Sequence, residues 1–156
     1  MEHILIPSSI RKYLEESNWI ALATCDAQGR PNVANKFFIK CEQDTVFLAD
    51  YAKGTTCENI KRHPIAAFPI IDPENLIDYQ LSGVAKVLDR SDLHHELIEQ
   101  LKNRELDFST QRVIAGIHRG KAHSTFEFPD ISEAAIIRIR VNDIVSRGPR
   151  IRVKNI

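Results

Sequence analysis

The residues with the clearest capacity for chemistry lie between an apolar run that is typical of a strand and a proline that must end a helix. They offer one cation, one unhindered backbone amide, two hydroxyls and one carboxamide. They are Lys53, Gly54, Thr55, Thr56 and Asn59. Free N–H groups at a helix N-terminus point towards an incoming ligand, and the helix dipole favours an anion there. The pattern therefore indicates a site for a phosphate monoester.

The same stretch has a simpler interpretation as an ordinary capped helix. Thr55 and Glu58 have the spacing of a capping box, in which the hydroxyl and the carboxylate satisfy reciprocal backbone N–H groups. Thr55 would then cap a helix over 56–62, which His63 and Pro64 would end. A nucleoside triphosphate P-loop is excluded, because its Lys followed by Ser or Thr after two framing glycines is absent.

Composition places the chain among ordinary globular proteins. Its 156 residues, 43% of them hydrophobic, suit one domain over 1–156 with its own core. Basic and acidic residues both number 21, so no overall charge draws the chain to nucleic acid or to an anionic membrane. No signal peptide and no membrane-spanning run is recognised. We expect a cytoplasmic protein, with Cys25, Cys41 and Cys57 as reduced thiols.

Hydrophobic patterning predicts a mainly β (α+β) chain. The predicted strands are 19–24, 32–40, 45–49, 65–71, 78–88 and 134–141. Helices are predicted over 10–17, 56–62 and 92–104, and the sequence allows one more over 108–117. Ser8 or Ser9 would cap the first, and Ser91 the one that begins at 92. No regular alternation of strand and helix occurs, which favours an antiparallel barrel with peripheral helices over a doubly wound sheet.

Individual residues constrain this predicted barrel. Gly29 supplies a positive φ in the turn after the first strand. Pro69 cannot donate to a ladder, so its strand should lie at an edge or a bulge. Gly83 marks a bend in the long strand, and 142–144 are expected to turn away from the last strand.

The chain contains, in order, a DxxGxP turn, N-K-F in the second strand, V-F-L-A-D in the third, T-x-x-x-N-I-x-x-x-P in the helix and Y-x-x-x-G-x-A in the long strand. This order of motifs resembles the pyridoxamine 5'-phosphate oxidase-like family of FMN-binding split barrels. It covers 19–88 well and 134–141 loosely. The resemblance implies a six-stranded antiparallel split β-barrel with Greek-key topology, a homodimer, and FMN at the subunit interface.

The resemblance also implies roles for particular residues. Contacts to the flavin ring and ribityl chain fall on Asn35, Lys36, Phe37, Ala49 and Asp50. The phosphate falls on Lys53, Gly54, Thr55, Thr56 and Asn59, and the partner chain would contribute Gln80 and Ser82. Many members have a basic residue where Thr55 and Thr56 stand, so Lys53 or Lys36 would supply the cation. No catalytic acid or base is predicted, because flavin carries the redox chemistry itself.

The predicted function is that of an FMN-dependent oxidoreductase or flavin reductase-like protein that acts on a small molecule. One alternative is a non-catalytic FMN-binding protein for electron transfer or flavin storage. Another is a split barrel that binds a deazaflavin or haem, with His118 or His123 as an axial ligand. No metal site is predicted. The position of Cys57 near a helix N-terminus would lower its pKa, but burial as a small hydrophobe is the commoner outcome for a free cysteine.

Overall fold

The computed structural model describes residues 4–120 and 133–148. Within them six antiparallel strands form a closed barrel in the order β1-β2-β3-β6-β5-β4, which confirms the predicted fold class. The strands are β1 (Trp19–Cys25), β2 (Pro31–Glu42), β3 (Thr45–Asp50), β4 (Ile65–Asp72), β5 (Ile77–Val87) and β6 (Ala135–Arg147). The helices are α1 (Ser8–Glu16), α2 (Thr55–Arg62) and α3 (His95–His118), with a short 3-10 turn at Arg90–Asp92.

The first three strands form a meander whose last strand is short. Gly29 has a φ of 77°, as the predicted turn requires. β3 pairs with β2 from Phe37 to Glu42, whereas β1 pairs with β2 from Pro31 to Phe37. Between Pro31 and Lys36, β2 therefore has a strand on one side only within the described chain. α2 contacts β2 and β1 beside this open edge.

The barrel closes through a narrow seam. β1 and β4 pair only at Ala23 and Ala67. Pro69 follows on β4, where the strand is paired with β5 but no longer with β1. Its missing N–H therefore costs no ladder bond on the seam side, and the prediction that it lies at an edge is confirmed.

Two apolar clusters hold the helices to the barrel. Every strand contributes apolar side chains to the barrel interior, and polar side chains take their place near α2. α1 adds Ile10 and Leu14 to this interior cluster, and α2 adds Cys57 and Ile60. A second cluster lies outside the barrel, where Leu97 and Leu101 of α3 pack on β2, β3 and β6. This packing sets α2 against the interior and α3 against the outer face of β2, β3 and β6.

Several predicted boundaries are wrong for identifiable reasons. The helices predicted over 92–104 and 108–117 are one helix, since no Gly or Pro separates them. The expected serine caps are absent: Pro7 and His94 are the N-cap residues of α1 and α3. β6 continues through 142–144, where a turn was expected, because Asn142 forms a bulge opposite the step from Ser82 to Gly83.

Candidate functional site

The start of α2 is the centre of the candidate site. After β3 the chain passes through Lys53, a non-glycine residue at a φ of 48°, to Gly54, which is the N-cap residue. No side chain caps the helix, so the predicted capping box is wrong. The reason is that the helix begins one residue early, which places Thr55 inside the first turn rather than at the capping position.

This uncapped helix start leaves backbone donors available. The first intrahelical bond runs from the N–H of Glu58 to the carbonyl of Gly54, 3.3 Å away. The N–H groups of Thr55, Thr56 and Cys57 have no acceptor among the residues that the structure describes. A Cβ added to Gly54 would meet no atom within 4 Å. Unpaired N–H groups beside an unhindered glycine are the arrangement that binds an anion at a helix N-terminus.

Lys53 and Thr55 are the exposed members of the predicted phosphate group. The ammonium of Lys53 lies 3.5 Å from a carboxylate oxygen of Glu133, with both side chains largely in solvent. An exposed pair of this kind contributes roughly 0–1 kcal/mol. Lys53 can therefore exchange this partner for a phosphate at little cost.

Thr56 and Asn59 are turned inward by a buried network that the sequence reading missed. The Nδ2 of Asn32 donates to Oγ1 of Thr56 (3.1 Å) and to Oγ1 of Thr24 (3.3 Å). The Nδ2 of Asn59 donates to the same Thr24 oxygen at 3.1 Å. These bonds hold α2 on β1 and β2. The pairing of β1 with β2 could have identified Thr24 and Asn32. They lie directly opposite each other, and two polar side chains paired on an inward face predict an internal hydrogen bond.

Lys36 and Asp50 form an ion pair inside the barrel. Their charged atoms are 3.0 Å apart and their side chains are only 4% and 2% exposed. Asp50 also accepts from the N–H of Ala52 (3.0 Å) and from the thiol of Cys57 (3.3 Å). Burial, together with the hydrogen bond to Asp50, raises the pKa of Cys57 to about 12. Of the two interpretations of Cys57, the lowered thiol pKa is wrong and burial is confirmed, with the thiol also serving as a donor to Asp50.

The residues predicted to contact the flavin ring are divided between an exposed and a covered group. Asn35 is exposed on the outer face of β2, opposite Ala21. Phe37 is fully buried beneath α3, where its ring makes edge contacts with Trp19 at 5.2 Å and Phe108 at 5.8 Å. Ala49, the partner of Phe37 across the ladder, is buried in the same cluster.

Gln80 and Ser82 lie on the outer face of β5. Gln80 is exposed and lines a groove of about 480 Å³ together with Ala67 and Arg147. The hydroxyl of Ser82 lies 3.5 Å from a carboxylate oxygen of Asp143. Neither residue is hydrogen-bonded to residues 50–59 in the described chain. The single chain thus does not bring them to the start of α2, and their predicted role concerns a second copy.

The remaining predictions concern histidines and membranes. His118 is exposed at the end of α3, while His123 lies outside the described residues. Across 4–120 and 133–148, no three His, Cys, Asp or Glu side chains lie close enough together to hold a metal ion. None of the described helices has the length and apolar character needed to cross a bilayer.

Comparison with known proteins identifies the fold and a family. The sequence profile described as pyridoxamine 5'-phosphate oxidase matches residues 6–144. No curated protein matches the chain. Among solved structures, HutZ, described as the heme storage protein from Vibrio cholerae, is 21% identical, with a TM-score of 0.60 over 89% of this chain and 91% of that one.

Two further structures show the same fold. A structure described as an F420 reductase is 20% identical, with a TM-score of 0.56 over 90% of this chain and 98% of that one. HupZ from Group A Streptococcus is 19% identical, with a TM-score of 0.56 over 90% and 92% of the two chains. Identities this low establish a common fold and leave ligand and activity open.

Proposed function

Since the chain belongs to the pyridoxamine 5'-phosphate oxidase family of split barrels, we propose that it is an FMN-dependent oxidoreductase or flavin reductase-like protein acting on a small molecule. The observation that carries this proposal is the uncapped N-terminus of α2, where backbone N–H groups have no acceptor in the described chain and Lys53 lies beside them. Bound FMN supplies hydride and one-electron chemistry, while the protein binds and orients it. The free thiols fit a reducing compartment, and we place the protein in the cytoplasm.

The start of α2 would hold the phosphate of FMN. The N–H groups of Thr55, Thr56 and Cys57 would donate to its oxygens, and the ammonium of Lys53 would add a mobile charge. Thr56 and Asn59 act differently, because their side chains fix α2 to the barrel through Asn32 and Thr24. The residues assigned to the phosphate would thus fall into two sets: those that contact the phosphate and those whose side chains hold α2 in position.

The open edge of β2 would receive the flavin ring. Between Pro31 and Lys36 the strand has no second neighbouring strand among the described residues, so its outward backbone groups could bond to the polar atoms of the ring. The exposed carboxamide of Asn35 lies on the same stretch. Phe37 and Ala49 would support this stretch from below α3, and Asp50 would hold the loop that leads to Gly54.

A second copy would complete the site. Gln80 and Ser82 share the outer face of β5 with exposed apolar residues on β4, β5 and β6. Exposed apolar side chains that lie together mark an interaction surface. We infer that this face packs on a partner and carries Gln80 and Ser82 to the partner's FMN.

Substitutions at Thr55 test the phosphate site directly. Thr55→Pro should preserve α2, because proline is accepted at the first helical position, but it removes one N–H from the site. We expect FMN to bind roughly tenfold to a hundredfold more weakly, the scale of one lost charge-assisted hydrogen bond. Thr55→Ala keeps the N–H and should retain most of the affinity. Fluorescence titration measures both.

Riboflavin is the control ligand, because it lacks the phosphate. Its affinity should be the same for the wild-type protein and Thr55→Pro. An equal loss for FMN and riboflavin would place the phosphate elsewhere. Reduction of the bound flavin by a nicotinamide coenzyme, followed by turnover with an acceptor, would separate an enzyme from a flavin-storage or electron-transfer protein.

Haem binding is the second candidate. It is favoured by the exposed imidazole of His118 at the end of α3 and by the description of HutZ as a heme storage protein. Titration with haemin should then give a Soret band that weakens in His118→Ala or His123→Ala. A protein that binds FMN and gives no such band contradicts this candidate.

A further inference from the structure

A cleft of about 550 Å³ extends from Lys53 to Lys61 in the C-terminal half of α2. The ends of β5 and β6 and the start of α3 form its other walls. Its floor is apolar and is made by Val87, Leu88, Leu93, Ile98 and Ile136. Leu88 and Leu93 pack on the cluster that holds α3 to the barrel. The floor is therefore part of the folded core.

The rim of this cleft is cationic. Lys53, Lys61 and Arg90 line it, and Asp89 is the acidic residue among the described lining groups. In the described chain neither Lys61 nor Arg90 has a carboxylate within ion-pair distance, and Lys53 has the weak contact with Glu133. Three cations and one carboxylate among the described lining groups leave an excess of positive charge beside the apolar floor, and such a surface attracts anions.

We propose that this α2–α3 cleft binds an amphipathic organic anion, in which a small apolar body carries a phosphate or carboxylate group. The apolar body would lie on Leu88 and Leu93, and the anionic group would lie between Lys61 and Arg90. The volume falls in the range of small-molecule sites, which are apolar with a few placed polar groups. The inference goes beyond FMN binding, because it concerns a different set of residues, with Lys53 lying at the border of both sites.

Phenyl phosphate is the probe that combines both required features. It is titrated into the ¹⁵N-labelled full chain, and binding is followed by amide chemical shifts. We expect shifts at Val87, Leu88 and Ile136 and a dissociation constant at least tenfold lower than for inorganic phosphate or for benzyl alcohol, which each lack one feature. Absence of phenyl phosphate binding, or equal binding of all three compounds, overturns the proposal.

A charge-removing double variant tests the location. Lys61→Gln/Arg90→Gln should weaken phenyl phosphate about tenfold, the scale expected of two exposed charge contacts. Lys12→Gln/Lys102→Gln removes the same charge from other surfaces and should have no effect. Unfolding midpoints confirm that both variants fold, and equal loss in the two variants overturns the proposed location.

FMN titration of the Lys61→Gln/Arg90→Gln variant separates this inference from the proposed function. FMN affinity should be unchanged, because its phosphate is assigned to the start of α2. Loss of phenyl phosphate binding with FMN retained supports two sites, and parallel loss shows one pocket and contradicts the inference. If the wild-type chain binds phenyl phosphate but not FMN, the result supports the cleft as a binding site and contradicts the proposed function.

Discussion

At the scale of single residues, the carboxylate of Asp50 connects the end of β3, the loop after it and α2. It pairs with Lys36 and accepts from the N–H of Ala52 and the thiol of Cys57. A buried carboxylate needs such partners, because an unpaired buried charge is very costly. The same bonds set the direction in which the chain enters Gly54. Asp50 therefore positions the candidate site from inside the barrel.

Breaking this pair should destabilise the protein strongly. Asp50→Asn leaves the Lys36 ammonium buried without its counter-charge, and we expect a loss of about 3–5 kcal/mol in unfolding free energy. The double variant Lys36→Met/Asp50→Leu should recover part of this loss, because it removes the unpaired charge but leaves the N–H of Ala52 and the thiol of Cys57 without their acceptor. Urea unfolding measures both variants.

A matched exposed pair provides the control. Lys86 and Asp92 are 2.7 Å apart, but their side chains are 50% and 38% exposed, so Lys86→Gln should cost less than about 1 kcal/mol. Similar losses at the buried and the exposed pair, or a double variant as unstable as Asp50→Asn, would contradict the role assigned to the pair.

At the scale of elements, Asp72 of β4 adds a polar link to the apolar packing that holds α1 on the barrel. The hydroxyl of Tyr13 donates to Oδ1 of Asp72 at 2.8 Å, and Asn75 donates its Nδ2 to Oδ2 at 2.8 Å. The Asn75 amide, above all, lowers the pKa of Asp72, with Tyr13 and backbone N–H groups adding to the effect. The hydrogen bond to Asp72 raises the pKa of Tyr13 to about 12.

This arrangement predicts a sign for the acid dependence of stability. A carboxyl whose pKa is lowered on folding stabilises the protein above its unfolded-state pKa, and that contribution is lost as pH falls through the folded-state value. Asp72→Asn removes the titrating group, so unfolding free energy should fall less steeply with acid below about pH 4 than in the wild type. Urea unfolding between neutral and acidic pH measures the slopes, and identical slopes would contradict the assignment.

The contact between β5 and β6 depends on Gly83. A Cβ at this position would lie 2.0 Å from the carbonyl oxygen of Arg140, next to the bulge at Asn142. Gly83→Ala should therefore force the strands apart and cost about 1–3 kcal/mol or more. Gly148→Ala is the matched control, because its Cβ would meet no atom within 4 Å. Thermal unfolding compares them, and equal midpoints would show that the strands separate without cost.

At the scale of the whole molecule, the sequence predicts the barrel better than it predicts the site. The alternation of apolar and polar residues along the strands is a local signal. Gly29, Pro69 and Gly83 are local signals too, and they lie at a turn, at an edge and opposite a bulge, respectively. The inward direction of Thr56 depends on tertiary contacts, since its partner Asn32 is distant in sequence. The burial of Phe37 depends on α3, which follows much later in the chain.

The same limit applies to charge. Lys36 is a plausible ligand in a strand with partial alternation, and only the register shows that it shares the interior with Asp50. Asn142 carries a turn signal in the sequence, yet it forms a bulge because β5 continues beside it. Local patterns thus identify elements and special backbone positions, whereas the use of a polar side chain is decided by neighbours from distant elements.

The proposed dimer gives the last prediction. Ile65 and Val84 are direct partners across β4 and β5, and both side chains are about half exposed, on the face that carries Gln80 and Ser82. If this face packs on a second copy, Val84→Lys places an unpaired charge inside the interface and should give monomers. FMN affinity should fall when the dimer dissociates, because Gln80 and Ser82 of the partner are then lost.

The control variant is Ile117→Lys, at an exposed apolar residue of α3, which should remain dimeric. Sedimentation with and without FMN measures both variants. A monomeric wild-type chain that binds FMN tightly would show that each flavin site is built from one chain. A Val84→Lys protein that stays dimeric would show that a different face forms the interface.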